Sequence, residues 1–378
     1  MKTRILFMIN GLYGGGAENI LQTILQQLDQ TKYDITLYGV INENFDTNIY
    51  PSYIKYKSVF NGINDQSKNH FIIKLKNKIK LLIYNNLPAS IFYKLFIRGT
   101  YDVEVAFIEG YSTKIISGSN QKSKKIAWVH IDLDANHWTK IAYNNLEEEK
   151  QCYKRFNRIV SVSQNVQEAF SQKFGINEQL TVKYNPVNRE DIILKSKESL
   201  NAKNSKKTRL ITVGRLEHQK GYDRLLKVVL KLKQEGLNFE LWILGEGTQY
   251  SELNGFIKEH HLEDTVSLLG FQTNPYKYIA ASHMFVCSSR SEGFSTVVTE
   301  ALILGKPIVA TNCSGMQELL GDSEYGLLTE NNEVALYSGI KELITNKELL
   351  KHYQNKSETR SKHFDIKVTM QEIEKLWN

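Results

Sequence analysis

The stretch Ser289-Arg-Ser-Glu-Gly-Phe-Ser-Thr-Val-Val-Thr-Glu300 decides how this chain is read. An apolar run, His283-Met-Phe-Val-Cys287, leads into it and predicts a buried strand. Val298, Ala301, Leu302 and Leu304 run out of it at helical spacing. Glu292 therefore falls on the loop after the strand, and Glu300 in the first turns of the helix. Both carboxylates can line one crevice at the carboxyl edge of a parallel sheet, where α/β folds bind ligands. Backbone N–H groups at Gly293, Phe294 and Ser295, with Thr296 opening the helix, supply an anion seat at the same place. Sugar hydroxyls want carboxylate acceptors and phosphates want N–H donors. This loop offers both.

Outward from that stretch the pattern repeats. In the second half, strands are predicted at Leu210–Val213, Glu240–Leu244, Val266–Leu268, Met284–Cys287, Pro307–Ala310 and Gly326–Leu328. Helices are predicted between them at Tyr222–Gln234, Gln249–His260, Pro275–Ala280 and Thr296–Leu304. The first half carries strands at Ile5–Ile9, Tyr33–Tyr38, Val103–Ile108, Lys125–Val129 and Arg158–Val162, again with helical patterns between most of them. Alternation of this kind implies parallel, helix-covered sheets, and so an α/β chain of two Rossmann-like domains facing a cleft. A length of 378 residues suits two domains of ordinary size. The polar, lysine-rich stretch Lys195–Lys207 reads as a linker or surface excursion.

The Ser289–Glu300 segment resembles the Glu-x7-Glu motif of the retaining glycosyltransferases of family 4, which have the GT-B fold. Gly214-Arg-Leu-Glu-His-Gln-Lys-Gly221 resembles the Gly-Arg-Leu-x-x-x-Lys-Gly signature of the same family, and Gly305-Lys-Pro-Ile-Val-Ala310 follows in order. The resemblance implies a first domain of residues 1–186 that binds the acceptor, with a C-terminal helix (362–378) packing back on it. It implies a second domain of residues 187–361 that binds a nucleotide sugar. It also implies transfer of a hexose or N-acetylhexosamine, UDP-linked, to a glycan acceptor. The expected setting is bacterial capsule, exopolysaccharide or O-antigen assembly, on a lipid-linked acceptor at the cytoplasmic face of the membrane.

Particular residues take roles by the same resemblance. Glu300 would take the ribose hydroxyls, and Glu292 those of the donor sugar. Arg215 and Lys220 can stabilise the charge that builds on a departing diphosphate without a metal. Gly15 and Gly16 end the Gly14-Gly15-Gly16 turn, where an absent Cβ lets backbone approach the diphosphate or sugar; a purely structural turn would look the same. His130, in Trp128-Val-His130, would hydrogen-bond the transferred sugar, although a histidine there is commonly a packed residue. Leu269 and Phe271 match the place where backbone groups hold the nucleobase. With no obvious covalent nucleophile, attack would come on the face from which the diphosphate leaves, that phosphate helping to deprotonate the acceptor. Asn185-Pro-Val-Asn188 matches the hinge region, but the family commonly has aspartate where this chain has Asn188.

Other features bound the function. Asp132-Leu-Asp134 has the Asp-x-Asp form of metal-dependent GT-A enzymes; here it reads as loop polarity or acceptor contact, and no metal or other cofactor is expected. The triplet of glycines lacks Gly-x-Gly-x-x-Gly spacing, and no acid ends the second strand to take a ribose, which disfavours a dinucleotide-dependent oxidoreductase. A non-hydrolysing nucleotide-sugar epimerase and a non-catalytic nucleotide-sugar-binding protein share the fold and remain as alternatives. Cys152, Cys287 and Cys313 are odd in number and isolated, which argues against a disulfide framework and for a reducing cytoplasm. The basic-then-apolar Met1–Asn10 segment is too short in its apolar part for a signal peptide and reads as a first strand. No apolar run is long enough to span a bilayer. Between Lys68 and Arg98 lysines interleave with large apolar residues and acids are absent. That stretch reads either as a basic amphipathic surface for anionic lipid or as an ordinary helix with solvated lysines. A net charge of +7 suits an acidic partner, and nucleic acid is not expected because no recognition motif accompanies it.

Overall fold

In a computed structural model, residues 1–11, 15–42, 50–61, 70–200 and 206–377 are described; for residues 42, 61 and 70–74 this covers the backbone only. The chain forms two compact units: Met1–Pro186 with Lys367–Asn378, and Val187–Ile366. The first contains strands β1 (Thr3–Ile9), β2 (Tyr33–Asn42), β3 (Lys55–Asn61), β4 (Val103–Ala106), β5 (Lys124–Val129), β6 (Arg158–Ser161) and β7 (Leu180–Val182). They lie in the order β3-β2-β1-β4-β5-β6-β7, every pair parallel. The second contains β8 (Thr208–Val213), β9 (Phe239–Leu244), β10 (Val266–Leu268), β11 (Met284–Cys287), β12 (Ile308–Thr311) and β13 (Leu327–Thr329). Their order is β10-β9-β8-β11-β12-β13, again parallel throughout.

Strands covered on both faces by helices read as continuous apolar runs, because both sets of alternating side chains are buried. Ile5–Ile9 of β1 and Met284–Cys287 of β11 are buried at every position. The edges look different. β3 alternates Lys55, Lys57 and Ser58 with Tyr56 and Val59, and β7 is three partly exposed residues. Neither was expected from the sequence, since charged and short edge strands carry no apolar run. Helix Tyr222–Gln234 buries Leu225, Leu226, Val228, Val229 and Leu232 on one side, which is why its bounds were readable.

Three sequence expectations change in detail. The lysine-rich stretch begins inside helix Arg189–Ser196, whose N-terminus Asn188 caps by accepting the Asp191 N–H at 3.1 Å; residues 201–205 lie outside the described residues. The tail joins the first unit from Lys367 rather than 362, because the helix Lys347–Ser361 belongs to the second unit. The basic stretch is two helices, His70–Asn86 and Ala89–Phe96, broken by Pro88, with Lys68 outside the described residues. Among the described residues no helix is long and apolar enough to cross a membrane.

The tail helix Ile366–Glu374 is tied to the first unit by packing and by charge. Met370 and Ile373 are buried, and Trp377 meets Phe7 of β1 edge-on at 5.7 Å between ring centroids. Tyr33 donates to Glu374 at 2.8 Å, and Lys183 pairs with Glu372 at 2.8 Å. Among the described residues the buried Trp377 indole N–H has no hydrogen-bond partner, so the residue contributes as apolar bulk. Trp377→Ala should therefore lower the stability of the first unit by about 3–5 kcal/mol. Trp377→Phe should cost far less, because no hydrogen bond is lost. Urea titrations followed by hydrogen exchange of the Thr3–Ile9 amides would measure both; equal losses for the two variants would contradict this packing account.

Candidate active site

The chain order of the second sheet fixes where its site forms. β8, β9 and β10 extend one way, and β11, β12 and β13 extend the other, so the loops leaving β8 and β11 diverge around a switch point. Gly214–Gly221 follows β8, and Ser288–Ser295 follows β11. The two loops touch through backbone: Arg290 N–H donates to Gln219 O at 2.7 Å, and Gln219 Nε2 to Ser291 O at 2.8 Å. Gly221 makes this approach possible, since its φ is +67° and a Cβ there would sit 2.2 Å from Ser288 O.

That contact brings Lys220 and Glu292 together. Lys220 Nζ lies 2.6 Å from Glu292 Oε1, and Ser289 Oγ donates to the same oxygen at 2.6 Å. Burial works against the Lys220 ammonium, but the charge and hydrogen bond of Glu292 outweigh it and leave its pKa above the ordinary value. Arg215 is exposed on the same loop, and among the described residues its side chain has no hydrogen bond or ion pair. Beyond Glu292, among the described residues helix Thr296–Ile303 begins with no side-chain cap and the buried Ser295 hydroxyl has no partner. Gly293 and Phe294 are buried, and Gly315, at φ +78°, lets the loop after β12 approach until a Cβ would lie 2.1 Å from Gly293 O.

Glu300 sits one turn into that helix, half-buried, with Tyr276 Oη donating to it at 3.4 Å. Burial pushes its carboxyl up to about 8, with the Tyr276 hydrogen bond opposing. At the carboxyl end of β10, Gln272 Nε2 donates to the Leu269 carbonyl at 2.7 Å, and Phe271 is exposed. Lys220, Glu292, Ser295 and Thr296 thus share one edge of the sheet, and Glu300, Leu269 and Phe271 lie on the same side of the unit.

The first unit has its own switch point, between β1 and β4. Asn10 follows β1, Glu109 follows β4, and His130 ends β5. Asn10 donates to Glu109 O at 3.0 Å and accepts from Ser112 Oγ at 2.8 Å. The Glu109 carboxylate accepts the N–H groups of His130 and Ile131, the latter at 3.0 Å. Burial raises its pKa to about 7 against those hydrogen bonds. His130 Nε2 lies 2.8 Å from Phe107 O, and burial lowers the ring's pKa to about 4. A carbonyl only accepts, so Nε2 carries the proton and neutral Nδ1 presents a lone pair. Gly15 caps helix Gly16–Gln27 without a side-chain hydrogen bond; Gly14 lies outside the described residues. Asp132 turns inward, accepting the N–H groups of Asp134 and Ala135 at 2.9 Å, while Asp134 is exposed 3.7 Å from Lys173. Among the described residues no three His, Cys, Asp or Glu side chains are grouped to hold a metal ion.

Several site-building residues escaped the sequence reading. Arg224 donates to Ser288 O at 2.9 Å, to Ser289 O at 2.8 Å and to Asn331 Oδ1 at 2.8 Å. Arg290 makes a two-point pair with Asp223 at 2.7 and 2.8 Å. An arginine on a helix facing the sheet gives no local signal. Glu109-Gly110 did have one, since it repeats the strand–acid–glycine order of Glu292-Gly293.

The raised Glu300 pKa has a stability consequence. An unfolded glutamate loses its proton near 4.5, the folded one near 8, so between these values the folded state holds more protons. The penalty is absent below about pH 4.5, grows through the window and is complete above about 8. Glu300→Gln should therefore gain stability relative to wild type as pH rises from 5 to 8, by urea titration at ~1-unit steps. A pH-independent difference would contradict a neutral Glu300 at low pH.

With the geometry in place, comparison with known proteins is informative. Residues 195–360 match the family described as "Glycosyl transferases group 1". The chain is 30% identical over 367 residues to the Campylobacter jejuni N-acetylgalactosamine-N,N'-diacetylbacillosaminyl-diphospho-undecaprenol 4-alpha-N-acetylgalactosaminyltransferase, covering 94% of each protein. It is 23% identical to the amylovoran biosynthesis glycosyltransferase AmsD of Erwinia amylovora, covering 99% of this chain and 98% of AmsD. The crystal structure of Anabaena HepE with UDP and glucose superposes with a TM-score of 0.76 at 20% identity, over 99% of this chain and 98% of HepE. Two parallel α/β sheets with that likeness are the GT-B fold, and the extent of the Campylobacter match places the chain in a family: it is a glycosyltransferase of group 1.

Proposed function

We propose that this chain is a retaining, family-4-type transferase that moves a hexose or N-acetylhexosamine from UDP to a lipid-linked glycan in bacterial surface-polysaccharide assembly. The observation that carries the reading is the 2.6 Å contact of Lys220 with Glu292 beside the uncapped start of helix Thr296–Ile303. A nucleotide sugar needs a cation and N–H donors at its diphosphate and a carboxylate for the adjoining sugar hydroxyls. All three lie on one loop pair. UDP is favoured by the likeness to HepE, and a lipid-linked acceptor by the name of the Campylobacter relative.

In this account Val187–Ile366 takes the donor. Arg215, Lys220 and the N–H groups of Gly293, Phe294, Ser295 and Thr296 hold the diphosphate. Glu292 holds the sugar, Glu300 the ribose, and backbone at Leu269 and Phe271 the base. The first unit takes the acceptor, with Gly15, Gly16 and the Nδ1 lone pair of His130 at the carboxyl edge of its sheet as its polar contacts. The acceptor oxygen forms its bond to the anomeric carbon as the bond to the diphosphate breaks. The proton passes to the departing phosphate on the same face. Neutral His130 is suited to accept a hydroxyl hydrogen bond and not to supply a proton.

Turnover should persist in EDTA, because Lys220, Arg215 and the helix start already meet the leaving charge. Lys220→Ala should lower kcat by about 10²–10³, the usual effect of removing one preorganised stabilising donor. UDP release from a nucleotide-sugar panel, with acceptor lipid extract and with donor alone, would measure both. Near wild-type rates in an Arg215→Ala/Lys220→Ala enzyme would remove the clamp. Epimer formation without acceptor would replace the reading altogether.

The acceptor's lipid gives the basic helices a use. Leu75, Ile79, Leu82, Ile91 and Leu95 are exposed, as are Lys76, Lys78, Lys94 and Arg98. Lys80 is different: it donates to Val59 O and lies over the rings of Phe60 and Phe96, so it braces the unit rather than facing outward. The side chains of Phe71, Ile72 and Lys74 are outside the described residues. Each outward cation should add about 1 kcal/mol of attraction to anionic lipid, screened by salt. Phosphatidylglycerol vesicles should therefore co-sediment the protein at low salt, neutral vesicles weakly. Changing Lys76, Lys78, Lys94 and Arg98 to glutamine should release it with UDP affinity unchanged. Indifference of the wild type to anionic vesicles would mean a solvated face and a cytoplasmic enzyme without surface attachment.

A further inference from the structure

The loop leaving β5 is braced more heavily than a connection requires. Glu109 pins its first two N–H groups, and Asp132 accepts two more. Tyr84 and Lys114 both donate to Ala142 O, at 3.1 and 3.2 Å, and Tyr143 donates to Gly110 O at 3.1 Å. Between these anchors stands Glu149, whose side chain is 1% exposed. One of its oxygens accepts from Thr139 Oγ1 at 2.7 Å; the other lies 2.7 Å from His137 Nε2. His137 itself is 25% exposed, and Trp138 beside it is partly exposed with its ring over Gly110.

A buried carboxylate is costly unless its oxygens are used, and here both are. With Nε2 facing Glu149, Nδ1 is the ring's remaining polar atom. Among the described residues nothing donates to that nitrogen. The result is a hydrogen-bonding ring nitrogen on a partly exposed side chain, fixed in direction by a buried partner, beside an aromatic surface on which the apolar face of a pyranose can rest. The loop starts at the carboxyl edge of the first sheet, where α/β units bind their ligands.

We propose that His137, oriented by Glu149, binds a hydroxyl of the acceptor glycan through Nδ1, with Trp138 as the neighbouring sugar-ring contact. This rests on the glycosyltransferase reading above and assigns a subsite in the first unit apart from the diphosphate clamp. His137 contributes one directional hydrogen bond, which orients the acceptor hydroxyl without taking its proton.

The decisive variant is His137→Gln. Its amide nitrogen can still donate to Glu149, but Nδ1 is gone. Octyl glycosides of N-acetylgalactosamine, N-acetylglucosamine, galactose and glucose would serve as probes, followed by saturation-transfer NMR with UDP present. The wild type should engage at least one of them. His137→Gln should weaken that glycoside about tenfold, the scale of one lost hydrogen bond, with UDP affinity and Tm unchanged. His137→Ala should show the same loss of affinity together with a lower Tm, because the Glu149 oxygen that faces His137 is left without its partner. Unchanged glycoside affinity in His137→Gln, an equal loss of UDP affinity, or a wild type that engages none of the four would overturn the proposal. Failure of the wild type to bind UDP would instead count against the donor reading, and is read from the same samples.

Discussion

Arg224 carries the second unit's site. Its guanidinium ties the carbonyls of Ser288 and Ser289 to Asn331, and Ser288 Oγ in turn donates to Lys220 O at 2.9 Å. Carbonyls at the end of a buried strand have no ladder partner once the strand stops, and leaving them bare costs about 1–3 kcal/mol each. Arg224 satisfies them with a charge that is itself buried, so the loop after β11 has one low-energy course. Ser289, Glu292 and Lys220 follow from that course. An alanine at Arg224 would do more than delete hydrogen bonds, since it would free the segment that sets the direction of Glu292.

The Lys220–Glu292 pair shows how such a site is kept ready. Two opposite charges taken partly out of water are tolerable only as long as they hold each other or a ligand. In the proposed function, a diphosphate and a sugar hydroxyl would offer each of them a replacement partner. The charges therefore need no rearrangement beyond exchange of partners, and the backbone around them is already fixed by Gly221 and Gly315.

Central strands and the helices that cover them were legible because burial on two faces writes an uninterrupted apolar run, as in Phe7 and Met8 or Phe285 and Val286. The edge strands β3 and β7 were not, because one side of each meets solvent and the pattern dissolves into lysine, serine and threonine. Motif residues on strand-to-helix turns were legible for a related reason: glycine and an acid directly after an apolar run stand out. Arg224, Asp223 and Tyr276 reach the site from helices, and nothing in their immediate neighbours distinguishes them from solvated residues. Lys80 shows the converse error. Its neighbours read as a lysine face, yet its ammonium lies over the rings of Phe60 and Phe96. His137 had no sequence signal at all, since its partner Glu149 lies on a separate helix.

The tail helix has a consequence for how the protein comes into being. Tyr33 and Glu374 are 341 positions apart, yet they share a hydrogen bond within one unit. During synthesis the first unit emerges early, with Phe7 of β1 lacking the edge-on contact that Trp377 supplies. Domains tend to fold as they leave the ribosome, in order from the N-terminus. Here that order cannot be completed until Lys367–Asn378 are made, because they belong to the first unit although the second lies between. A stalled or truncated chain would thus expose Phe7 and its neighbours while carrying an intact second unit, a species suited to capture by chaperones and to aggregation.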